Sequence, residues 1–216
     1  MKHFYRKKEG IAIDLKSMYE NHVNVINKYD FGQEELYQMM DRFIPQVVEE
    51  IHEFNNEILN IVDKADNDKA NLPEALSEAS LELLDIILYL ISINSTLMEK
   101  YEKDLLERED INFTRQFILN DGTEVYNIDI YNKAKDAINK IVVDTLGGNR
   151  RLIPNRKYHQ DKEEISKEDS RRIVFAIFKN NHITILSLMS ILFGRFVLAK
   201  DLNKVIGKIQ EVVKYK

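Results

Sequence analysis

The chain contains no cysteine. That excludes disulfides, thiolate metal sites, iron–sulfur clusters and cysteine nucleophiles. Only 7 glycines and 3 prolines occur in 216 residues, a shortage of turn formers that points to long helices and away from a turn-rich β protein. No apolar stretch follows the basic opening MKHFYRKKEG, so a secretory signal is not expected. The most apolar segment, residues 183–199, contains Ser187, Ser190, Gly194 and Arg195, and is shorter than the roughly 20 residues that span a bilayer. An excess of positive charge is missing too: the net charge is −5, which disfavours general nucleic-acid binding. The expectation is a cytoplasmic protein with no membrane and no nucleic-acid partner.

The familiar nucleotide and hydrolase signatures are also missing. There is no G-x-x-x-x-G-K, no G-x-G-x-x-G and no G-x-S-x-G, so P-loop, dinucleotide and α/β-hydrolase sites are set aside. Glu49-x-x-His52 looks like half of a di-iron motif. However, none of His3, His22, His159 or His182 has a glutamate three residues before it, and such a site needs a second copy. His52-Glu53 begins a zincin-like H-E-x-x-H, but position 56 is Asn56.

What is present is helical periodicity. Leu15, Met18, Tyr19, His22, Ile26 and Tyr29 recur at helical spacing and predict a first helix ending near Asp30-Phe31-Gly32. A second begins at Gln33 and is expected to kink or restart at Pro45. From there Val47, Ile51, Phe54, Ile58 and Ile61 form a stripe to about residue 62. The charged stretch 63–71 reads as a loop. Pro73 then opens a helix to about Arg108, striped by Leu76, Ser80, Leu83, Ile87, Leu90, Asn94, Leu97 and Tyr101.

An Asp-Gly turn between β-prone runs predicts a small hairpin near 113–128. Helix resumes at about Ile130 and is expected to stop at Gly147-Gly148. A basic loop, 149–160, follows. Ser166-x-x-Asp169 resembles a capping box before a helix through Phe178. Two more helices are expected at about 183–200 and from Asp201 on. The reading is all-α: one helical bundle domain over residues 1–216, with an insertion at about 109–165.

Acidic residues are abundant, 36 of 216, so a lone E-x-x-E means little. Context separates two pairs. In the run LELLDIILYLISI (81–93), ten of thirteen residues are apolar, the exceptions being Glu82, Asp85 and Ser92. Apolar side chains then point in nearly every direction, as in a helix buried within a bundle. Glu82 and Asp85 lie one turn apart on one face, with no lysine or arginine within seven residues. Two half-buried carboxylates of this kind need a cation or a partner from another segment. The second pair, Glu50 and Glu53, lies about 60° and about 120° from the stripe centre of its own helix, on one shoulder with Glu57 between.

Together the pairs make E-x-x-E, a 28-residue gap, then E-x-x-D. One polar loop in the gap lets the helices pack antiparallel and bring four carboxylates to one cleft. Such a hard-oxygen site suits Mg²⁺, with Mn²⁺ as a substitute.

This arrangement resembles the all-α nucleoside triphosphate pyrophosphohydrolases, the superfamily of MazG-like enzymes and dimeric dUTPases and dCTPases. The strong part of the match is residues 45–95, with Glu82-Leu83-Leu84-Asp85 fitting the second motif. The resemblance implies Mg²⁺-dependent hydrolysis of a (deoxy)nucleoside triphosphate, of the pyrimidine type such as dUTP or dCTP, to a monophosphate and pyrophosphate. It implies Glu53 as the base, with Glu50, Glu53, Glu82 and Asp85 as metal ligands.

In the C-terminal segment FVLAKDLNKVIGKIQEVV, Lys208 takes the place of the family's phosphate-holding lysine. Val212 stands where an asparagine is usual. Arg150, Arg151, Arg156 and Lys157 offer further phosphate contacts, since arginine forks match phosphate oxygens. Asn21, beside His22, is a loose candidate for contacting the base. A homodimer or higher homo-oligomer is expected, because helices apolar nearly all round leave surface for a second subunit. The alternative reading is a non-catalytic helical nucleotide-binding or scaffold protein.

Overall fold

A computed structural model describes residues 4–7, 10–26, 35–120, 122, 126–153, 166–198 and 200–213. It is mostly helical, with one small antiparallel sheet. The elements run β1 (Phe4–Lys7), β2 (Gly10–Asp14), α1 (Leu15–Ile26), α2 (Leu36–Asn67), α3 (Leu72–Lys100), β3 (Thr114–Ile118), α4 (Ile128–Leu152), α5 (Lys167–Ile191) and α6 (Leu202–Val213). Short 3₁₀ turns cover Lys69–Asn71 and Lys103–Glu107, and a π-type turn covers Leu192–Phe196.

Local chemistry sets several helix starts. Asp14 caps α1, its carboxylate accepting from the Lys16 and Ser17 amides at 3.1 and 3.4 Å. The amide of Glu35 donates to Gln38 Oε1 at 2.9 Å at the start of α2. Ser166 caps α5 as its sequence suggests, its hydroxyl accepting from the Asp169 amide at 3.0 Å.

Several boundaries differ from the sequence expectations, each for a physical reason. α2 passes through Pro45 without restarting. Pro45 is exposed, so the carbonyl one turn earlier, which loses its partner, can face water. The expected loop at 63–71 is mostly helix, because Ala65 still buries on the α2 stripe. α3 ends at Lys100 and not near Arg108. α4 runs through Gly147-Gly148 to Leu152, so Arg150 and Arg151 belong to a helix and not to a loop. Among the described residues only Gly122 has positive φ, at 82°. α5 continues past Phe178 to Ile191, and Asn181, His182 and Thr184 near its middle are buried. The first helix's expected end, at 30–32, lies outside the described residues.

β3 is the first arm of the expected hairpin, whose turn and second arm fall largely on residues 121 and 123–125, outside the described residues. β3 pairs with β2, Ile11 opposite Phe117, and β1 flanks β2 on the other side. The pairing of β2 with β3 is therefore long-range. Gly10 is needed there, because a Cβ would stand 2.5 Å from the Phe117 carbonyl oxygen. Past β3, Asn120 hooks onto the π-type turn. Its amide donates to the Phe193 carbonyl at 2.8 Å and its Nδ2 to that of Arg195 at 2.6 Å. Carbonyls freed by the wider turn are thereby satisfied.

α3 is the central helix, packed by α2, α5, α1 and α6. Two stretches, Lys69–Lys100 and Lys167–Phe196, are long and apolar enough to cross a bilayer by length and composition. The apolar segment beginning at Ile183 is thus part of a longer apolar helix. Most of the most apolar window of the first stretch, and half of that of the second, is buried in the bundle.

The core holds a directional chain of hydrogen bonds. Asn180 Nδ2 donates to Asn149 Oδ1 (3.1 Å), Asn149 Nδ2 to Asn181 Oδ1 (2.7 Å), and Asn181 Nδ2 to Asn94 Oδ1 (3.0 Å). Asn94 Nδ2 then donates to the Tyr19 hydroxyl (3.4 Å) and to the Phe178 carbonyl (3.1 Å). His182 closes the chain, with Nε2 on the Asn112 carbonyl (3.1 Å) and Nδ1 on the Tyr19 hydroxyl (3.0 Å). A carbonyl only accepts, so Nε2 carries the proton and Nδ1 accepts from Tyr19. This chain ties α1, α3, α4 and α5 together.

Candidate metal centre

Between residues 75 and 98, α3 is buried everywhere except at Glu78, Leu81, Glu82, Asp85, Tyr89 and Ser92. All but Leu81 fall at steps of three or four residues, which makes one polar seam along an otherwise buried helix. α2 borders the seam. Phe54, next to Glu53, is fully buried and meets the Phe196 ring at 5.6 Å. That contact fixes the rotation of α2 and turns Glu50 and Glu53 toward the seam.

Glu53 and Glu82 stand at comparable distances from the turn joining α2 to α3, so the helical hairpin brings them level. One carboxylate oxygen from each of Glu50, Glu53 and Glu82 lies within 4.8 Å of the others. The Glu53 and Glu82 carboxyls are close enough to act on each other directly. Asp85 lies on the same seam but outside this triad. Its Oδ2 accepts from the ammonium of Lys208 on α6. One turn earlier on α6, Lys204 reaches Glu78 Oε1 at 3.0 Å and Ser77 Oγ at 3.2 Å.

The electrostatics follow from this crowding. Burial, then the charges of Asp85, Glu53 and Glu82, push the Glu50 carboxyl up to about 7, against a smaller pull from Lys208. Glu82 is raised by burial and then by Asp85, with Lys208 again opposing. Tyr89, one turn beyond Asp85, is raised by burial and then by Glu50, Asp85, Glu49 and Glu53. One ammonium does not balance these carboxylates. A divalent cation fits the donor set, which is all hard oxygen with no imidazole or thiolate in the triad.

The other expected site residues are placed differently. Arg150 does not point at the carboxylates. Its Nε pairs with Asp41 at 3.3 Å, and Asp41 precedes Glu50 by nine residues, about 13 Å along α2 and on its opposite face. Arg151 is exposed and donates to its own helix at Gly147 O, 3.1 Å away. Arg156 and Lys157 lie outside the described residues. Asn21 is half-buried on α1 beside His22, whose Nε2 shares a hydrogen bond with Ser92 Oγ on the seam at 2.7 Å. His52 is exposed and outside the triad.

Two features of the site are absent from the sequence expectations. Tyr89 carries a local signal, being four residues from Asp85 on the same face. The pairing of Lys208 with Asp85 carries none, because 123 residues separate them. Comparison with models of known protein families, with curated proteins and with solved structures gives no match to this chain.

Proposed function

We propose that this chain is a divalent-cation-dependent hydrolase of the all-α nucleoside triphosphate pyrophosphohydrolase type. It would cut a (deoxy)nucleoside triphosphate, of the pyrimidine class such as dUTP or dCTP, to a monophosphate and pyrophosphate. The observation that carries this reading is the convergence of Glu50, Glu53 and Glu82 from two helices to within 4.8 Å, with Asp85 next along the seam.

Glu50, Glu53 and Glu82 would hold the cation, Mg²⁺ by choice and Mn²⁺ as a substitute, with Asp85 as a further oxygen donor. When bound, the cation supplies positive charge to phosphate oxygens and makes a nearby water more acidic. Glu53 is the most exposed carboxylate of the triad and so the best placed to accept a proton from an attacking water. Glu50 and Glu82, half-buried, are better suited to hold charge than to exchange protons with solvent. Lys208 stands at the seam where a polyphosphate would lie. Half-burial along α3 keeps bulk water to one side of the seam, which strengthens every charge–charge contact there. A homo-oligomer, located in the cytoplasm, belongs to the same proposal. The exposed apolar Leu59, Val143 and Ile183 leave surface that a second copy could cover.

One observation favours the alternative of a non-catalytic binding or scaffold protein: Asp85 already has a counter-ion in Lys208. Pyrophosphate release from a panel of dNTPs and NTPs, with Mg²⁺ and with chelator, beside Glu53→Gln, separates the two. Mg²⁺-dependent release that disappears in the variant supports the hydrolase. No release from any nucleotide, by a folded protein that binds Mg²⁺, supports the alternative.

A further inference from the structure

The geometry points to Lys208 as a transferable counter-ion. In the resting site its ammonium keeps Asp85 out of the carboxylate triad, and a phosphate group that draws the ammonium away frees Asp85 as a fourth oxygen donor. The inference rests on the metal-site reading of Glu50, Glu53 and Glu82.

Three observations carry it. First, Asp85 shares the α3 seam with Glu82, one turn away, yet only Glu82 joins the triad. Asp85 is instead held by Lys208. Second, α6 does not depend on that contact for its place. Leu202, Val205 and Ile209 are buried in the core, and Lys204 fastens the helix to Glu78 and Ser77. The Lys208 side chain can therefore swing on its flexible stem while its helix stays docked. Third, the pair is open to exchange. Lys208 and Asp85 keep 30% and 25% of their side-chain surface in water, so a phosphate arriving from solvent can reach the ammonium. A phosphate oxygen offers the ammonium a comparable or better acceptor.

The consequence is an order of events. A cation alone meets three carboxylates and a competing ammonium. A cation arriving with phosphate meets four carboxylates, because the ammonium has moved. Cation and phosphate thus bind with positive coupling, and the coupling runs through Asp85.

A double-mutant cycle on the full chain tests this, reading Mn²⁺ affinity from the loss of the free-ion EPR signal, with and without inorganic phosphate. Lys208→Gln is expected to tighten Mn²⁺ binding about tenfold in the presence of Asp85, for the loss of one nearby competing charge. In the Asp85→Asn chain the same substitution should change it less than about twofold, since no carboxylate is left to release. Phosphate should tighten Mn²⁺ binding in the unaltered protein and do so much less in either single variant. Asp85→Asn keeps the side chain's shape and α6 docking, so it reads the phosphate effect even if Lys208→Gln folds poorly.

Equal tightening in both backgrounds would mean a diffuse charge effect and would overturn the inference, as would Lys208→Gln binding no more tightly than the unaltered chain. In both cases the metal reading stands. Absence of Mn²⁺ binding in every variant would remove the metal reading and this inference together.

Discussion

α3 carries two polar regions, and they are satisfied by opposite means. Asp85 and Asn94 are nine residues apart, which puts them on opposite faces of the helix. On one face the seam of Glu78, Glu82, Asp85 and Tyr89 is half-exposed, acidic and under-compensated. On the other, Asn94 is fully buried in a neutral chain whose donors and acceptors follow one another from Asn180 to Asn112. The buried chain gains from mutual polarisation and would be costly to interrupt. The seam does the reverse: its carboxylates raise one another's energy, which destabilises the resting fold and favours an added cation. A region built for stability closes its hydrogen bonds internally. The seam leaves its charge unbalanced, and this contrast separates the two faces of α3.

The largest expected effect that would break the comparison is on turnover. Glu50→Gln should lower pyrophosphate release by on the order of 10²-fold or more, as for loss of a group acting directly on the reaction, while thermal stability in chelator stays equal or rises because repulsion is removed. A loss of stability with turnover retained would place the seam with the structural region instead.

Next comes the buried chain. Asn94→Ala should cost about 3 kcal/mol, since it strands the amide of Asn181 and removes a donor to Tyr19 and to the Phe178 carbonyl. Chemical denaturation measures it. A cost under about 1 kcal/mol would show that the chain is no stronger than ordinary surface hydrogen bonding.

The two regions should also respond to pH with opposite signs. Glu50 binds its proton more tightly when folded, at about 7 against an ordinary 4.5, so its stabilising proton is lost, and the metal-free fold weakened, as pH rises from 4.5 through 7. His182 is depressed below its ordinary 6.5, chiefly by burial. Its neutral form is the folded one, so its contribution is full above 6.5 and is lost as pH falls through the folded value. In melting curves with chelator, Glu50→Gln should gain on the unaltered protein toward pH 7. His182→Gln should lose its pH-dependent disadvantage toward acid. Parallel curves for either variant would sink that assignment.

The smallest effect sharpens the contrast within the seam. Lys204 pairs with Glu78 with both side chains about half in water, so Lys204→Gln should change stability by no more than about 0.5 kcal/mol and leave Mn²⁺ affinity nearly unaltered. A shift as large as that from Lys208→Gln would mean that α6 docking, and not the counter-ion at Asp85, controls the site.

Much of the fold and part of the site are legible in the sequence. The stripe of Val47, Ile51, Phe54, Ile58 and Ile61 is buried as its spacing requires, and the near-uniform apolarity of 81–93 correctly marks a core helix. Glu82 can be singled out because it interrupts an otherwise apolar run, and Glu50 and Glu53 because they form a second acidic pair on the preceding helix. Boundaries are less legible. Pro45 and Gly147-Gly148 are breakers by local propensity, yet packing on either side carries both helices through them. The π-type turn at Leu192–Phe196 and the partner of β3 have no local signal, because both depend on residues far away in sequence.

Sequence by itself determined helix type, the buried stripes and the acidic pairs, since these are set by the periodicity of side chains along one element and by which of them water will tolerate losing. Tertiary structure alone decided that Lys208 neutralises Asp85 and not its neighbours, that Arg150 is spent on Asp41, and that β2 and β3 find each other across the chain. Those are contacts between segments, and their free energy depends on three-dimensional placement that no spacing within one helix encodes.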